Sequence, residues 1–242
     1  LNESRFSMFK NHEIYNLVEK SLIREKNFSK KIIKNKSFYS SIIINKKYDL
    51  IINSDLNNEI SKKFFFNKIH KKYNSSAYTT IIKHQKCTNK TATQIFTKIG
   101  PIAFLPISKT ETSIVFSILE NKNIINDNQV RDLILQYNMK YKIKSFNKFE
   151  KFNLKFSFLR NYFYNNILCF GDNLHQIHPL AGQGFNMTIR DIKFLSQLID
   201  QRLELGLPLD TSVLKKFEQK TKHFNFIFGV GIDSINEFFK FD

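Results

Sequence analysis

The stretch GDNLHQIHPLAGQGFNMTIRD, Gly171 to Asp191, holds three of the chain's seven glycines and decides how the rest is read. Ahead of it, Asn166 to Phe170 (NILCF) is a short apolar run of the kind a buried strand makes. Behind it, Phe185, Ile189, Ile192, Ser196, Ile199 and Leu203 recur at helical spacing, with Gly206 and Pro208 as stop signals. Strand, loop and helix therefore follow one another, and Gly171-Asp172 falls at a strand's carboxyl end, where α/β sheets bind ligands. Gly182 and Gly184 flank Gln183 where the helix begins. Without a Cβ, backbone amides there can come close to a ligand, and a helix start favours anionic atoms. Asp172 at the strand tip can accept hydrogen bonds from hydroxyls, and Pro179 stiffens the turn between them. A ligand with sugar hydroxyls and an anionic group fits this pattern; Gly-Asp taken alone is equally what an ordinary turn uses.

With 242 residues, 42% of them hydrophobic, the chain can build a real core as one large or two small domains. No run of about 18 uncharged apolar residues occurs, and LNESRFSMFK lacks the apolar middle of a signal peptide, so a soluble, cytoplasmic protein is expected. Cys87 and Cys169 have no C-x-x-C partner, which leaves a zinc site or redox pair without support. The formal charge of +17 invites a nucleic-acid reading. Its lysines, however, are spread among Asn, Ile and Phe rather than gathered on one stretch, which argues against nucleic acid and leaves attraction to anionic lipid as the useful consequence.

Along the chain, Met8 to Ile23 is amphipathic, with Ile14, Leu17, Val18 and Leu22 on one side. Tyr39 to Ile44 and Tyr48 to Asn53 form a hairpin pattern around Asn45-Lys-Lys47, and the polar stretch that follows starts a helix capped by Ser54 or Asp55. Four β-rich runs, Tyr78 to Lys83, Thr91 to Phe96, Ile102 to Ile107 and Ser113 to Ile118, make an antiparallel sheet. Residues 127 to 142 read as a helix capped by Asp127, with Val130, Leu133, Ile134 and Tyr137 inward. Phe152 to Leu159 alternates into a strand that returns to Asn166, and Asp210 or Thr211 caps a last helix through Phe226. No repeat is visible, and no G-x-G-x-x-G occurs among the glycines at 100, 171, 182, 184, 206, 229 and 231.

Gly171-Asp172, His175, Pro179, Gly182-Gln183-Gly184, Asn186 and Asp191 resemble the GD-x-x-H-x-x-x-P-x-x-GQG-x-N-x-x-x-x-D signature of class A flavoprotein aromatic hydroxylases, nearest to those of ubiquinone biosynthesis. The resemblance implies an α/β (mixed α+β) fold, in which a partial, Rossmann-like FAD-binding domain (1–63 and 151–242) is interleaved with an antiparallel-sheet substrate domain (64–150). It also implies that the family's first FAD-binding unit and its C-terminal end lie outside this sequence; the opening on Leu1 agrees with a fragment. By the same resemblance FAD contacts Asp55, Gly171, Asp172, Pro179, Gly182, Gln183, Gly184, Phe185 and Asn186, with Asp172 on a ribityl hydroxyl and the GQG turn against the pyrimidine edge. Asp55, Ser61 and Lys62 or Lys63 match a second family motif, while Leu56 does not. The GPIAFLPI and SIVFSI segments look like substrate-domain strands, which makes Phe104 and Pro106 candidates for the aromatic pocket, with core packing as the alternative. The chain departs from the family at Asn173 and Leu174, where small residues are usual, and at Thr188, where glycine is usual; each adds bulk near the flavin.

The implied chemistry is hydroxylation of an aromatic, lipid-soluble quinone precursor with FAD, NAD(P)H and O2, at the periphery of the membrane's inner face and in a ubiquinone-biosynthesis complex. A non-catalytic remnant or assembly partner without stable FAD is the other implication of the missing motif and the three departures. No catalytic base is assigned. His175 and His178, three apart, lack the further ligands a metal needs, so no metal is expected and His175 reads as a loop brace. The absence of G-x-S-x-G leaves no nucleophile elbow for hydrolysis.

Overall fold

The computed structural model describes residues 10–33, 39, 41, 48–119 and 126–238. The chain opens on helix α1 (Asn11–Leu22), the core of the amphipathic segment. The strand expected over Tyr39 to Ile44 lies outside the described residues except for Tyr39 and Ser41, which are helical. Strand β1 (Ile51–Asn53) follows, and helix α2 (Glu59–Phe64) is capped by Asn58, whose side chain accepts from Ser61 N, not by Ser54 or Asp55. Asp55 Oδ1 is taken by Asn57 N at 2.8 Å in a local turn, which moves the helix start three residues on.

The next strands are β2 (Lys68–His84), β3 (Thr93–Thr97), β4 (Gly100–Pro106) and β5 (Glu111–Leu119), each antiparallel to its neighbour. Strand β2 begins well before Tyr78, because its opening KIHKKYN pairs with a later strand while showing polar side chains to solvent. Asn74, at φ 49°, marks the bulge where that pairing shifts register. Helix α3 (Asp127–Tyr137) stops short of the expected residue 142, since Asn138 Oδ1 folds back onto Lys140 N and Tyr141 N. Its cap is Asn126 in a reciprocal box with Gln129, one residue before the expected Asp127.

Strand β6 (Ile143–Phe146) and strand β7 (Glu150–Leu159) both pair with β2, and β10 (His175–Gln176) pairs with β7, giving a seven-stranded sheet. The boundary expected at 150/151 therefore runs into β7, which is hydrogen-bonded to β2 from Lys68 to Thr79. Strands β8 (Phe163–Tyr164) and β9 (Ile167–Cys169) form a second, three-stranded sheet with β1. Strand β1 runs parallel to β9, Ile51 opposite Ile167 and Asn53 opposite Cys169, so both strands end at the same place. Helix α4 (Gln183–Glu204) and helix α5 (Thr211–Phe238) complete the chain. Helix α5 continues past the expected end at Phe226, straight through Gly229 and Gly231. It crosses β7 so closely that a Cβ on Gly229 would lie 2.3 Å from the Phe158 ring, and this packing outweighs the roughly 1 kcal/mol a helical glycine costs.

Three cores hold these layers. Ile167, Leu168 and Cys169 of β9 are buried on both faces against Leu195 and Leu198 of α4 and Leu214 and Phe217 of α5. Truncating Leu168 to Ala there costs roughly 2–5 kcal/mol. One face of the seven-stranded sheet is sealed by Val130 and Ile134 of α3 over Ile82, Phe104, Ile114 and Phe116. The third core, Tyr73, Phe156, Phe158 and Met187 with Phe226 and Phe228, joins the large sheet to the two long helices.

Candidate functional site

Strand β9 is continuously apolar because it is covered on both faces, and the chain leaves it through Phe170, whose N–H donates to Asn53 O of β1 at 3.0 Å. Gly171, at φ 62°, turns the chain into a short 3₁₀ segment that leaves Asp172 exposed at the tip and Asn173 buried behind it. Asn173 Nδ2 donates to Ser61 Oγ at 2.7 Å and to Asp55 O at 3.3 Å, so the loops that follow the two parallel strands are joined. Asp55 and Asp172 are thereby carried on adjoining loops at one sheet end, both exposed.

His175 is buried, and its Nε2 donates to Asp191 Oδ2 of α4 at 2.9 Å. The other lone pairs of that carboxylate are taken by Asn225 of α5, whose Nδ2 lies 3.2 and 3.0 Å from its two oxygens. Asn225 Oδ1 in turn accepts from Arg190 Nη2 at 2.6 Å, and the Arg190 guanidinium lies over the rings of Phe224 and Phe228. This buried network sets the rotation of α4. Met187, Asp191, Leu195 and Leu198 face inward, while Phe185, Ile189, Ile192 and Leu203, the stripe that betrays the helix in the sequence, are 45% to 59% exposed. His178 is buried edge-on to Tyr73, ring centroids 5.4 Å apart, which fixes the chain just before Pro179. Nearby, Lys71 of β2 bridges Asp233 (3.1 Å) and Glu237 (3.0 Å) of α5.

Gly182 is the N-cap of α4 at φ 65°, and no side chain caps the helix. The Gly182 and Gln183 N–H groups are bonded back to Pro179 O and Leu180 O, so Gly184 and Phe185 carry the first-turn amides for which no cap is provided. Gly184 is different from Gly182. Its backbone is in the ordinary helical range, and the nearest atom to a Cβ built there is Ile177 Cγ1 at 3.9 Å, an ordinary contact. Among the described residues nothing requires glycine at 184. Phe185 and Asn186 are exposed beside it, and Gln183 is half-buried. A helix start without a side-chain cap, open space before Gly182 and exposed carboxylates on the adjoining loops suit a ligand that carries both carbonyl or anionic edges and hydroxyls.

The three departures from the family pattern are placed as follows. Asn173 points into the polar network and Leu174 into the β9 core, both about 1% exposed, so neither adds bulk on the open side. Thr188 lies one turn into α4, and its methyl is 4.0 Å from where a Cβ on Gly171 would be. Phe104 and Pro106 stand on the side of β4 covered by α3, where Phe104 is 3% exposed and stacks on Tyr141 with centroids 5.9 Å apart. The structure does not bring them to the helix start. Burial pushes the Cys169 thiol up to about 12, and it also pushes the half-buried Lys68 ammonium below its usual range. Asn225 is the site residue that carries no motif signal of its own: an isolated asparagine on a helix says nothing until its carboxylate partner is in place.

Residues 79–204 match the family described as "FAD binding domain", a little over half the chain. The ubiquinone biosynthesis monooxygenase COQ6, mitochondrial, of Dictyostelium discoideum is 27% identical over an alignment covering 78% of this chain and 49% of that protein. Its namesake in Caenorhabditis elegans is 22% identical, with 70% and 48% covered. The chain thus spans about half the length of the curated relatives it matches. Among solved structures, PnpA, a p-nitrophenol 4-monooxygenase from Pseudomonas putida DLL-E4, superposes with a TM-score of 0.62 at 12% identity, covering 77% of this chain and 49% of that one. PqsL, a probable FAD-dependent monooxygenase from Pseudomonas aeruginosa, gives 0.57 at 17% identity, with 78% and 54% covered. The likeness of fold extends well beyond the matched segment, and the strand, the GD turn and the GQG helix start all fall within that segment: the chain belongs to the FAD binding domain family.

Proposed function

We propose that this chain is the flavin-facing part of an FAD-dependent monooxygenase that hydroxylates the aromatic ring of a lipid-soluble quinone precursor, with NAD(P)H and O2 as co-substrates. The observation that carries the proposal is the start of α4, which has no side-chain cap and holds a glycine, Gly184, that no described residue requires. The names of the relatives supply the substrate class.

In this assignment Asp172 accepts a hydrogen bond from a hydroxyl of the cofactor's sugar chain, and Asp55 lies on the adjoining loop. The amides of Gly184 and Phe185 face the pyrimidine edge, where a helix N-terminus stabilises negative charge by roughly 0.3–2 kcal/mol. Pro179, held by buried His178, forms the wall of the loop beside Gly182. Bound FAD would supply the redox chemistry that couples NAD(P)H oxidation to ring hydroxylation by O2, the second oxygen atom leaving as water. The chain's own contribution is position and polarity.

Charge supports a place at a membrane surface, since +17 favours anionic lipid. No helix among the described residues is long and apolar enough to cross a membrane. Membership of a biosynthetic complex rests on the relatives alone.

The competing proposal is a non-catalytic remnant or assembly partner without stable FAD. It is motivated by Thr188, which stands where the resembled hydroxylases usually carry glycine and lies beside the Gly171 turn. Purified chain that retains FAD in stoichiometric amount, and that oxidises NAD(P)H faster when a prenylated phenol is added with a hydroxylated product detected by mass, supports the enzyme. Colourless protein that takes up no added FAD supports the remnant.

A further inference from the structure

Asn173 replaces a small residue of the hydroxylases the chain resembles, yet its hydrogen bonds are fully and directionally used. Nδ2 donates one hydrogen to Ser61 Oγ (2.7 Å) and the other to Asp55 O (3.3 Å), while Oδ1 accepts from Lys68 Nζ (3.1 Å). Ser61 Oγ also accepts from Asn53 Nδ2 (2.8 Å) and gives its own proton to Asp55 O. Asn53, Ser61 and Asn173 are each under 5% exposed. Polar groups buried this deeply are costly unless every partner is in place, so the set forms or fails as a unit. Only an amide fits position 173. A carboxylate would set oxygens against the Asp55 carbonyl and against Ser61 Oγ, whose proton is already given away. Lys68, a cation on Oδ1, fixes which way round the amide sits.

The geometry points to a positioning role, which rests on the flavin assignment above: Asn173 clasps the loop after β1 to the loop after β9. The clasp holds Asp55 and Asp172 in their relative places before any ligand arrives. Asn173 itself faces away from the open side and touches no ligand; it acts through the two aspartates. A loop already ordered does not have to be ordered on binding, and affinity gains accordingly.

Asn173→Ala and Ser61→Ala, singly and together, test this in the full chain. Amide hydrogen exchange over residues 54–61, measured without flavin, is expected to quicken by about tenfold in each variant, while β5 and α3 stay protected. Added FAD is expected to bind about tenfold more weakly to Asn173→Ala, with the double variant no worse than the single ones, because one clasp is broken either way. Unchanged exchange at 54–61, or additive losses of affinity, overturns the clasp. A lower melting temperature with unchanged FAD affinity overturns the positioning role and leaves only a structural one. If the unaltered chain takes up no FAD, the flavin assignment is what has failed, and the positioning role falls with it; the exchange arm still shows whether the two loops are joined. Asn173→Asp, which keeps the oxygen facing Lys68 but loses both donors, is expected to behave like Asn173→Ala; exchange and affinity like those of the unaltered chain would mean that the donors are not what matters.

Discussion

Gly184→Ala separates a glycine kept for a ligand from a glycine kept for the fold, because the two explanations give effects of opposite sign. Gly184 is the second residue of α4, and a Cβ there meets only Ile177 Cγ1, at 3.9 Å. Alanine loses less backbone entropy than glycine on entering a helix, by up to about 1 kcal/mol in a helix interior and less in a first turn. In a chain of this size about 1 kcal/mol moves the melting temperature by roughly 2–4 °C, so a rise of about 1–3 °C is expected. The same methyl is added in the first turn of the helix, beside the amides to which the flavin edge is assigned. Losing one amide contact there costs about 1.4 kcal/mol, which weakens flavin binding about tenfold. Differential scanning fluorimetry and flavin fluorescence titration on one preparation read both quantities. Gly182→Ala is the control: at φ 65° a side chain costs roughly 1–2 kcal/mol, and its melting temperature should fall. A Gly184→Ala chain that is destabilised, or that binds flavin as before, refutes the assignment of this helix start.

Asp172 is exposed, so Asp172→Ala should lower FAD affinity by about ten- to a hundredfold and leave urea stability unchanged; unaltered affinity removes it from the site. Asn225→Leu strips both Asn225 contacts from buried Asp191 and should cost roughly 3–5 kcal/mol in urea unfolding, whereas a loss below about 1 kcal/mol would mean that the carboxylate is satisfied elsewhere. The Cys169 thiol, raised to about 12, is protonated in the fold and free to ionise at about 8.5 once unfolded. Its contribution to stability is therefore complete below about pH 8.5 and is lost as pH climbs toward 12. At pH 8, iodoacetamide should label half-exposed Cys87 in the native chain and spare Cys169; equal labelling would contradict the burial.

The strand, turn and helix around Gly171 were legible because each signal is local: an apolar run, two glycines and a 3.6-residue period. What the sequence concealed depended on partners far along the chain. Asn173 stands out only as a departure from pattern, since Ser61 and Asp55 lie 112 and 118 residues before it. Helix α4 carries two apolar stripes, and the choice between them falls to Asp191, a polar residue that faces inward because His175 and Asn225 wait there. The polar opening of β2 hides a strand because its backbone pairs with β7 while its lysines reach partners far along the chain, Lys68 on Asn173 and Lys71 on Asp233 and Glu237. Phe104 and Pro106 illustrate the period-two ambiguity of strands: alternation says that they share a face, and only the placement of α3 says which. Both helix caps moved by a few residues for the same reason, an asparagine nearby being free to bond the helix amides where the expected aspartate was not aimed at them.

The central claim is that the α4 start and the loops after β1 and β9 hold the flavin. Titrating the nitrogen-15-labelled chain with FAD and following its amide resonances addresses this residue by residue. Shifts are expected to concentrate at Gly171 to Asn173, at Ser54 to Asn57 and at Gly182 to Met187, with Gly184→Ala needing about tenfold more FAD to reach them. Shifts gathered instead around the cleft between Asp49, Leu207 and Thr211 at the opposite ends of the strands, or no shifts at all, would contradict it.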